Sequence, residues 1–387
     1  MLKLFNSKQN IFGLDISDKT LKIVQTKKSG DKTKIQAIGR YKLKDKVIVN
    51  GEIRDPEEFV NSVKECIKKP IFGSITTDLA VMSLPEKKCF IKSIQIEKGP
   101  NSIDDLIGSE IEKYFPFSKD DIYYDWEIFN EYSDYYDVLV SAAPKYIVDS
   151  YIENASKAGL SVVAIEPESV AICRALTKKA EKKSKNNEAP TFAIIDIGAV
   201  ETFMVISSNS SIIMSMGIDV SGQEITEKIA TTLQINESQA EKAKIICGLD
   251  KTKAEGIIYE ILQEMIERMN SKIQSIINFY KDNYPDFPDI EFVSISGGGS
   301  DVNSLHEAIA ERLKLEIKDA DVFTNINEDI EKYSDSFTKT HNLNTDVLSK
   351  PSKNNKKSSI VPETISSKHN SSLSYVTSVG LALRENL

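Results

Sequence analysis

The sequence predicts an α/β protein of two related domains, because one strand–turn–strand pattern occurs twice, each time with an aspartate ending the first strand. A third observation joins these two: an apolar strand breaks into three glycines ahead of a helical pattern. The first copy is Ile11-Phe12-Gly13-Leu14-Asp15-Ile16-Ser17-Asp18-Lys19-Thr20. The second, with its aspartate 181 residues later, is Thr191-Phe192-Ala193-Ile194-Ile195-Asp196-Ile197-Gly198-Ala199-Val200-Glu201-Thr202. Apolar strands Leu21-Lys22-Ile23-Val24 and Phe203-Met204-Val205-Ile206 follow the two turns, and each leads to a third strand across a short polar link.

The remaining elements can be read in chain order. Pro56 to Lys68 is predicted helical, with Phe59, Val63, Cys66 and Ile67 on one face. From about Pro85 to Ile165 comes an insertion with alternating strands, a helix around Ile107 to Tyr114 and the strand Val138-Leu139-Val140-Ser141, together a small α+β unit. Lys178 to Glu188, lysine-rich and ahead of Pro190, reads as an exposed hinge or a solvated loop. Gly222-Gln223-Glu224 opens a turn after the third strand of the second repeat. Glu241 and Lys244, three apart, share one helix face. A long helix from about Glu255 to Lys281 carries Ile258, Ile261, Leu262, Met265, Met269, Ile273, Ile276, Ile277 and Tyr280 at helical spacing, the pattern of a core stripe. The glycine break is Val293-Ser294-Ile295-Ser296-Gly297-Gly298-Gly299-Ser300, followed by a helix over Asn303 to Leu315. Residues 326–372, rich in Ser, Thr, Asn and Lys, read as a disordered loop ahead of a terminal helix from about Leu373.

Paired aspartates at two such turns describe a divided phosphate and metal site. A nucleoside triphosphate needs backbone amides around its phosphates and carboxylates that hold a hydrated magnesium ion. Asp15 and Asp196 are the metal candidates. Gly198 and Ala199 let the second turn approach closely, Ser17 and Lys19 offer polar groups from the first, and Thr202 follows the second. Gly297, Gly298 and Gly299 suit a flat base or sugar resting on bare backbone.

Composition narrows the class without deciding it. A length of 387 residues with 40% hydrophobic content supplies two sizeable cores. The formal net charge of −9, with no clustered basic face, argues against a nucleic-acid partner. Cys66, Cys89, Cys173 and Cys247 lie far apart, so neither a zinc site nor a disulfide framework is indicated, and the three histidines build no triad. No apolar run approaches the roughly 18 residues of a spanning helix, and no long apolar stretch opens the chain as in a secretory signal. A cytoplasmic location is expected.

The three segments, in this order, resemble the actin-like ATPase superfamily, whose two ribonuclease-H-like domains close over ATP. Within it the chain is similar to the PilM family of type IV pilus assembly. Four further stretches carry that likeness: Glu110-Ile111-Glu112-Lys113-Tyr114-Phe115-Pro116-Phe117, Ser141-Ala142-Ala143-Pro144-Lys145, Ala158-Gly159-Leu160 through Glu168-Ser169 to Arg174-Ala175-Leu176, and Val379-Gly380-Leu381-Ala382-Leu383-Arg384. The resemblance implies a first actin-like domain of residues 1–84 and 166–189, with an inserted subdomain at 85–165 of the kind shared with the cell-division protein FtsA. It implies a second domain of 190–225 and 290–387, with a helical nucleotide-side subdomain at 226–289. It implies ATP and Mg2+ as ligands, Gly222 and Gln223 in the nucleotide site as a glycine turn leading to a nucleotide-side helix, and Glu241 and Lys244 around the ribose and adenine. Glu166 of Glu166-Pro167 resembles the connector acid that orders the attacking water, and Glu168 is a second candidate. Asp18 and Glu201 depart from the family pattern, since a carboxylate beside phosphates repels them unless a cation intervenes.

The implied function is an ATP-binding scaffold, with slow or no hydrolysis. It would hold the cytoplasmic tail of a single-span, PilN-like inner-membrane protein in a groove beside the insertion, with pilus motor or platform proteins as further partners. It would thus lie at the inner face of the cell membrane. An FtsA-like polymerising tether of cell division is the alternative, and a sugar or acetate kinase of the same superfamily ranks after it.

Overall fold

The structure, a computed structural model, describes residues 10–30, 32–114, 117–177, 190–327, 333 and 371–384. The expected hinge at Lys178 to Glu188, the Phe115-Pro116 pair and nearly all of the 326–372 segment lie outside the described residues.

Both repeats fold as the alternation of their side chains dictates. In the first, β1 (Phe12–Ile16) forms a hairpin with β2 (Thr20–Ser29), which continues into β3 (Lys32–Lys42). A two-stranded flap follows, β4 (Ile48–Val49) with β5 (Glu52–Ile53), and then α1 (Pro56–Lys68). Asp55 caps α1 by accepting from the Glu58 N–H at 3.1 Å, and Pro56 occupies a first-turn position where no donor is needed. Next come β6 (Phe72–Gly73) and β7 (Leu79–Leu84), and β7 lies parallel to β1.

The insertion contributes β8 (Phe90–Glu97), α2 (Ile103–Tyr114), β9 (Ile122–Glu131) and β10 (Tyr135–Pro144). Its three strands are antiparallel and enclose a core of their own against α2, with Ile94, Ile107, Ile111 and Val138 at its centre. The chain then forms α3 (Lys145–Lys157), β11 (Ser161–Pro167) and α4 (Glu168–Leu176). Here the expected boundary at Ile165 needs correction. The Tyr151 side chain of α3 packs with Phe59 of α1, and β11 pairs in parallel with β7, so the insertion proper ends near Pro144.

The second repeat gives β12 (Phe192–Ile197), β13 (Thr202–Ser208) and β14 (Ser211–Ile218), followed by α5 (Gly222–Leu233), α6 (Glu237–Cys247) and α7 (Ile257–Asn283). The last elements are β15 (Phe292–Ser296), parallel to β12, then α8 (Leu305–Leu313), β16 (Glu316–Asp319) and α9 (Val376–Ala382). The hydrophobic stripe expected on the long helix faces the sheet in α7. Residues 226–289 do not form a unit with a separate core: α5, α6 and α7 share one hydrophobic cluster with β12, β15 and α8.

Two sheets result. One has the order β11-β7-β1-β2-β3-β6, and the other runs β16-β15-β12-β13-β14-β8-β10-β9, so the insertion extends the second domain's sheet through the pair Met214–Lys92. Side chains alternate across both. Ala193, Ile195 and Ile197 of β12 face α5 to α8, while Phe192 and Ile194 face α4, α9 and the first domain. Leu21 and Ile23 of β2 likewise face α1 and α3, and Val24 faces inward. Helices thus cover each sheet on both faces, which explains the nearly continuous apolar strands.

The closing helix is the second correction. Expected in the second domain, α9 packs between the two sheets against α4 and β1. The approach is close because glycines permit it: a Cβ on Gly380 would lie 1.8 Å from the Ala171 carbonyl oxygen, and one on Gly13 would lie 2.4 Å from that of Ser378. Gly380→Ala is therefore expected to destabilise the protein by about 1–3 kcal/mol or more through overpacking. Urea unfolding checks this, and a wild-type midpoint with unchanged slope would contradict the packing described.

Candidate functional site

The two hairpins bring their aspartates to the facing ends of the two sheets. Asp15 is 3% exposed and paired in register with Lys22, whose ammonium lies 2.8 Å from Oδ2. Its other oxygen accepts from the Ser83 hydroxyl of β7 at 3.4 Å. Asp196 repeats the arrangement, since its Oδ1 accepts from the Ser296 hydroxyl at 2.6 Å, and Ser296 is its register partner on β15. Each domain therefore ends its central strand in an aspartate steadied by a serine from the parallel neighbour. The repeat seen in the sequence extends to this hydrogen bond.

Charge dominates the space between them. Burial raises Asp196 to about 6, with Ser296 and Lys22 pulling it down and Asp15 and Glu201 pushing it up. Glu168, the first residue of α4, is held well above the ordinary carboxylate range by burial first and then by Glu201, Asp15 and Asp196. Glu201 is also raised by burial, partly offset by Lys87 and by a hydrogen bond with Glu168. Two aspartates and two glutamates thus lie together, with Lys22 beside the aspartates, Lys87 beside Glu201, and a hydrogen bond joining the two glutamates.

The other candidates sort by what their polar groups already do. Asp18 turns away from the aspartates: its carboxylate accepts from the Asn50 and Gly51 N–H groups at 2.6 and 2.9 Å. Lys19 also points outward, with exposed Asp45 at 3.5 Å. The Ser17 hydroxyl closes its own turn against Thr20. Gly198 must be glycine, because a Cβ there would lie 2.6 Å from the Glu201 carbonyl oxygen. The N–H groups of Gly222 and Gln223 donate to the Gly198 and Ala199 carbonyls at 3.2 and 2.7 Å, so they fasten α5 to the second turn and are not free to hold phosphate. Buried Lys244 spends all three donors on Gly222 O, Thr226 Oγ1 and Glu241 Oε2 at 2.7–2.9 Å, while the Glu241 side chain stays 43% exposed. Gly297 and Gly299 press on Ile197, and a Cβ on Gly298 would meet nothing nearer than Ser374 at 3.7 Å, so only Gly298 offers open backbone. The buried Thr202 hydroxyl has no hydrogen-bond partner among the described residues.

Glu166 is the clear correction. It is 4% exposed; Arg174 binds both its oxygens and Arg384 also binds it. Arg174 donates further to the Gly380 carbonyl at 3.0 Å. With both oxygens held by guanidinium groups, Glu166 fastens the closing segment. Glu168 remains the carboxylate that faces the aspartates.

Sequence reasoning missed Lys22, although counting back across the three-residue turn places it opposite Asp15. It also missed the strand-end serines, Ser83 and Ser296, and it missed Glu86. Glu86 lies in a short 3-10 turn, Glu86–Lys88, between β7 and β8; burial raises it to about 7 while bonds from Ser215 and Ser169 pull it down. Beside this turn, β8, Tyr114, the second turn and β14 enclose a cavity of about 730 Å³.

The site residues fit a magnesium nucleotide. Magnesium keeps several waters and takes one or two carboxylates together with phosphate oxygens. Asp15 and Asp196 would supply those carboxylates and Lys22 a positive charge beside the phosphates. Among the described residues no group of three or more His, Cys, Asp and Glu is placed to hold a metal alone.

The family described as type IV pilus assembly protein PilM matches residues 13–342. The chain belongs to the PilM family. Among solved structures it is similar to a protein of the PilM-PilN type IV pilus biogenesis complex, at 18% identity with a TM-score of 0.75, covering 97% of this chain and 98% of that one. It is also similar to MreB 5 of Spiroplasma citri bound to AMPPNP, at 14% identity with a TM-score of 0.50, covering 87% of this chain and 99% of that one. At these identities the likeness establishes the fold, which is actin-like with the insertion described above. PilM membership sets aside the division-tether and kinase alternatives. No helix among the described residues is long and apolar enough to cross a membrane.

Glu86 yields a pH prediction. Its folded value near 7 exceeds the ordinary 4.5, so ionised Glu86 opposes folding above about pH 7. The stability it contributes is complete below about 4.5 and is lost as pH rises through 7. Melting temperature of ligand-free protein should therefore rise as pH falls from about 8 to about 5, and Glu86→Gln should flatten that rise. A difference between wild type and variant that does not change across this range would remove Glu86 as its source.

Proposed function

We propose that this PilM-family chain is a nucleotide-binding scaffold of type IV pilus assembly. ATP and Mg2+ would be held between Asp15 and Asp196, and the partner would be the cytoplasmic tail of a single-span, PilN-like inner-membrane protein. The observation that carries the nucleotide reading is the duplicated aspartate–serine end, with Lys22 between the two copies. Two carboxylates from opposite domains bind one metal–phosphate group only when the domains approach, so nucleotide would favour the closed state by its differential contacts there.

Turnover is expected to be slow. Glu166 is held by arginines, and Glu168 is buried among other carboxylates with one oxygen already accepting from the Glu86 N–H, which leaves it poorly placed to take a proton from water. Glu168 would position a water more than deprotonate it. Of the resemblance-based ribose contacts, the exposed face of Glu241 is the one still available, and Gly298 offers the open backbone for the base.

The tail is assigned to the cavity of about 730 Å³ beside the insertion. Phe90, Tyr114 and Phe203 give it apolar walls. Held this way, the protein would lie at the inner face of the membrane through its partner. Pilus motor or platform proteins would reach it in the same assembly.

Asp196→Ala is expected to weaken magnesium-dependent ATP binding by about tenfold or more, comparable to disturbing the shell of a bound metal, while the melting temperature in the absence of ligand is retained. Calorimetric titration with and without Mg2+ measures this. Equal affinity in a folded variant would refute the divided site.

A further inference from the structure

We infer that the Glu86–Lys88 turn is the element through which the nucleotide site and the neighbouring cavity act on one another, with Glu86 as its positioning residue. The inference rests on the nucleotide reading above. Three parts of the molecule converge on this turn. From the first domain, the Glu168 carboxylate accepts from the Glu86 N–H at 3.4 Å, and the Ser169 N–H donates to Glu86 Oε2 at 3.0 Å. From the second domain, the Ser215 hydroxyl of β14 donates to Glu86 Oε1 at 2.5 Å, and the Glu201 carboxylate accepts from the Lys87 N–H at 3.1 Å. Lys88 pairs with Glu52 of the flap at 2.7 Å. Immediately after the turn, Cys89, Phe90 and Ile91 lead into the insertion and wall the cavity, which Glu86, Glu201 and Ser215 also line.

Two of the carboxylates that fix this turn, Glu168 and Glu201, are therefore the two that join Asp15 and Asp196 at the proposed metal site. A cation and phosphates arriving there change the field on both, and whichever of them shifts must remake its bond to Glu86 or Lys87. The turn cannot move without moving Phe90 and Ile91, because it is continuous with them. Coupling between two sites is reciprocal, so an occupant of the cavity must alter nucleotide affinity by the same factor.

A reporter in the cavity tests this without any partner. Tyr114 is 39% exposed on the cavity wall, so a Tyr114→Cys protein can carry an environment-sensitive fluorophore. The four native thiols are poor competitors: burial raises Cys66 and Cys173 to about 12, Cys89 well above its ordinary value, and Cys247 upward. Binding of a fluorescent ATP analogue with Mg2+ is measured separately.

The labelled protein should show a change in emission that saturates with ATP and Mg2+. Ser215→Ala, which removes the second domain's bond to Glu86, should reduce that change at least fivefold while the nucleotide still binds, and Ser215→Thr, which keeps the hydroxyl, should restore it. Glu86→Gln supplies an independent variant, because it puts an NH2 donor in place of one of the two carboxylate oxygens that accept from the Ser215 hydroxyl and the Ser169 N–H. Nucleotide binding with no emission change in the unvaried protein overturns the coupling, as does an undiminished change in folded Ser215→Ala and Glu86→Gln. Absence of nucleotide binding in the unvaried protein is a different failure, that of the divided site itself.

Discussion

Like charges brought to one place govern this molecule. Asp15 and Asp196 end the central strands of two domains, Glu168 opens a helix between the sheets, and Glu201 closes the second turn, with Lys22 beside the two aspartates and Lys87 beside Glu201. Such a group is stable in a protein interior only when protons, lysine or metal neutralise it. Burial, with neighbouring carboxylates adding to it, raises Asp196, Glu168 and Glu201 above their ordinary range, and a bound magnesium ion would relieve the same repulsion.

The same chemistry is used differently a few residues away. Glu166 is as buried as Asp15, yet guanidinium groups from α4 and the closing segment surround it. An acid that meets arginines becomes a fastening; one that meets other acids has its charged form disfavoured. Glu166 and Glu168 are two residues apart on the chain but face these two environments, because Pro167 ends a strand and Glu168 starts a helix. The Glu166 fastening holds the last helix between the sheets, where Gly13 and Gly380 admit it.

The inserted subdomain is joined to this arrangement twice, through the bridge of Met214 to Lys92 and through the turn at Glu86. It has its own core, but its strands extend the second domain's sheet while its connections come from the first. A subdomain attached in this manner lies where relative motion of the domains is felt.

By itself the sequence determined the duplicated hairpins, the α/β class, the long helix with its apolar stripe and the two aspartates, because each is a local pattern: period two in strands, period 3.6 in α7, and a polar turn after an apolar run. Lys22 was equally local, one count back across a turn. Only the tertiary structure decided the rest. That Ser83 and Ser296 steady the aspartates depends on which strand lies parallel to β1 and to β12. That Arg174 and Arg384 claim Glu166, that α9 returns to the first domain, and that Glu86 lies between Ser169 and Ser215 depend on partners up to 218 residues distant. A carboxylate reads the same in every sequence, and its partner determines whether it fastens, titrates or waits for a metal.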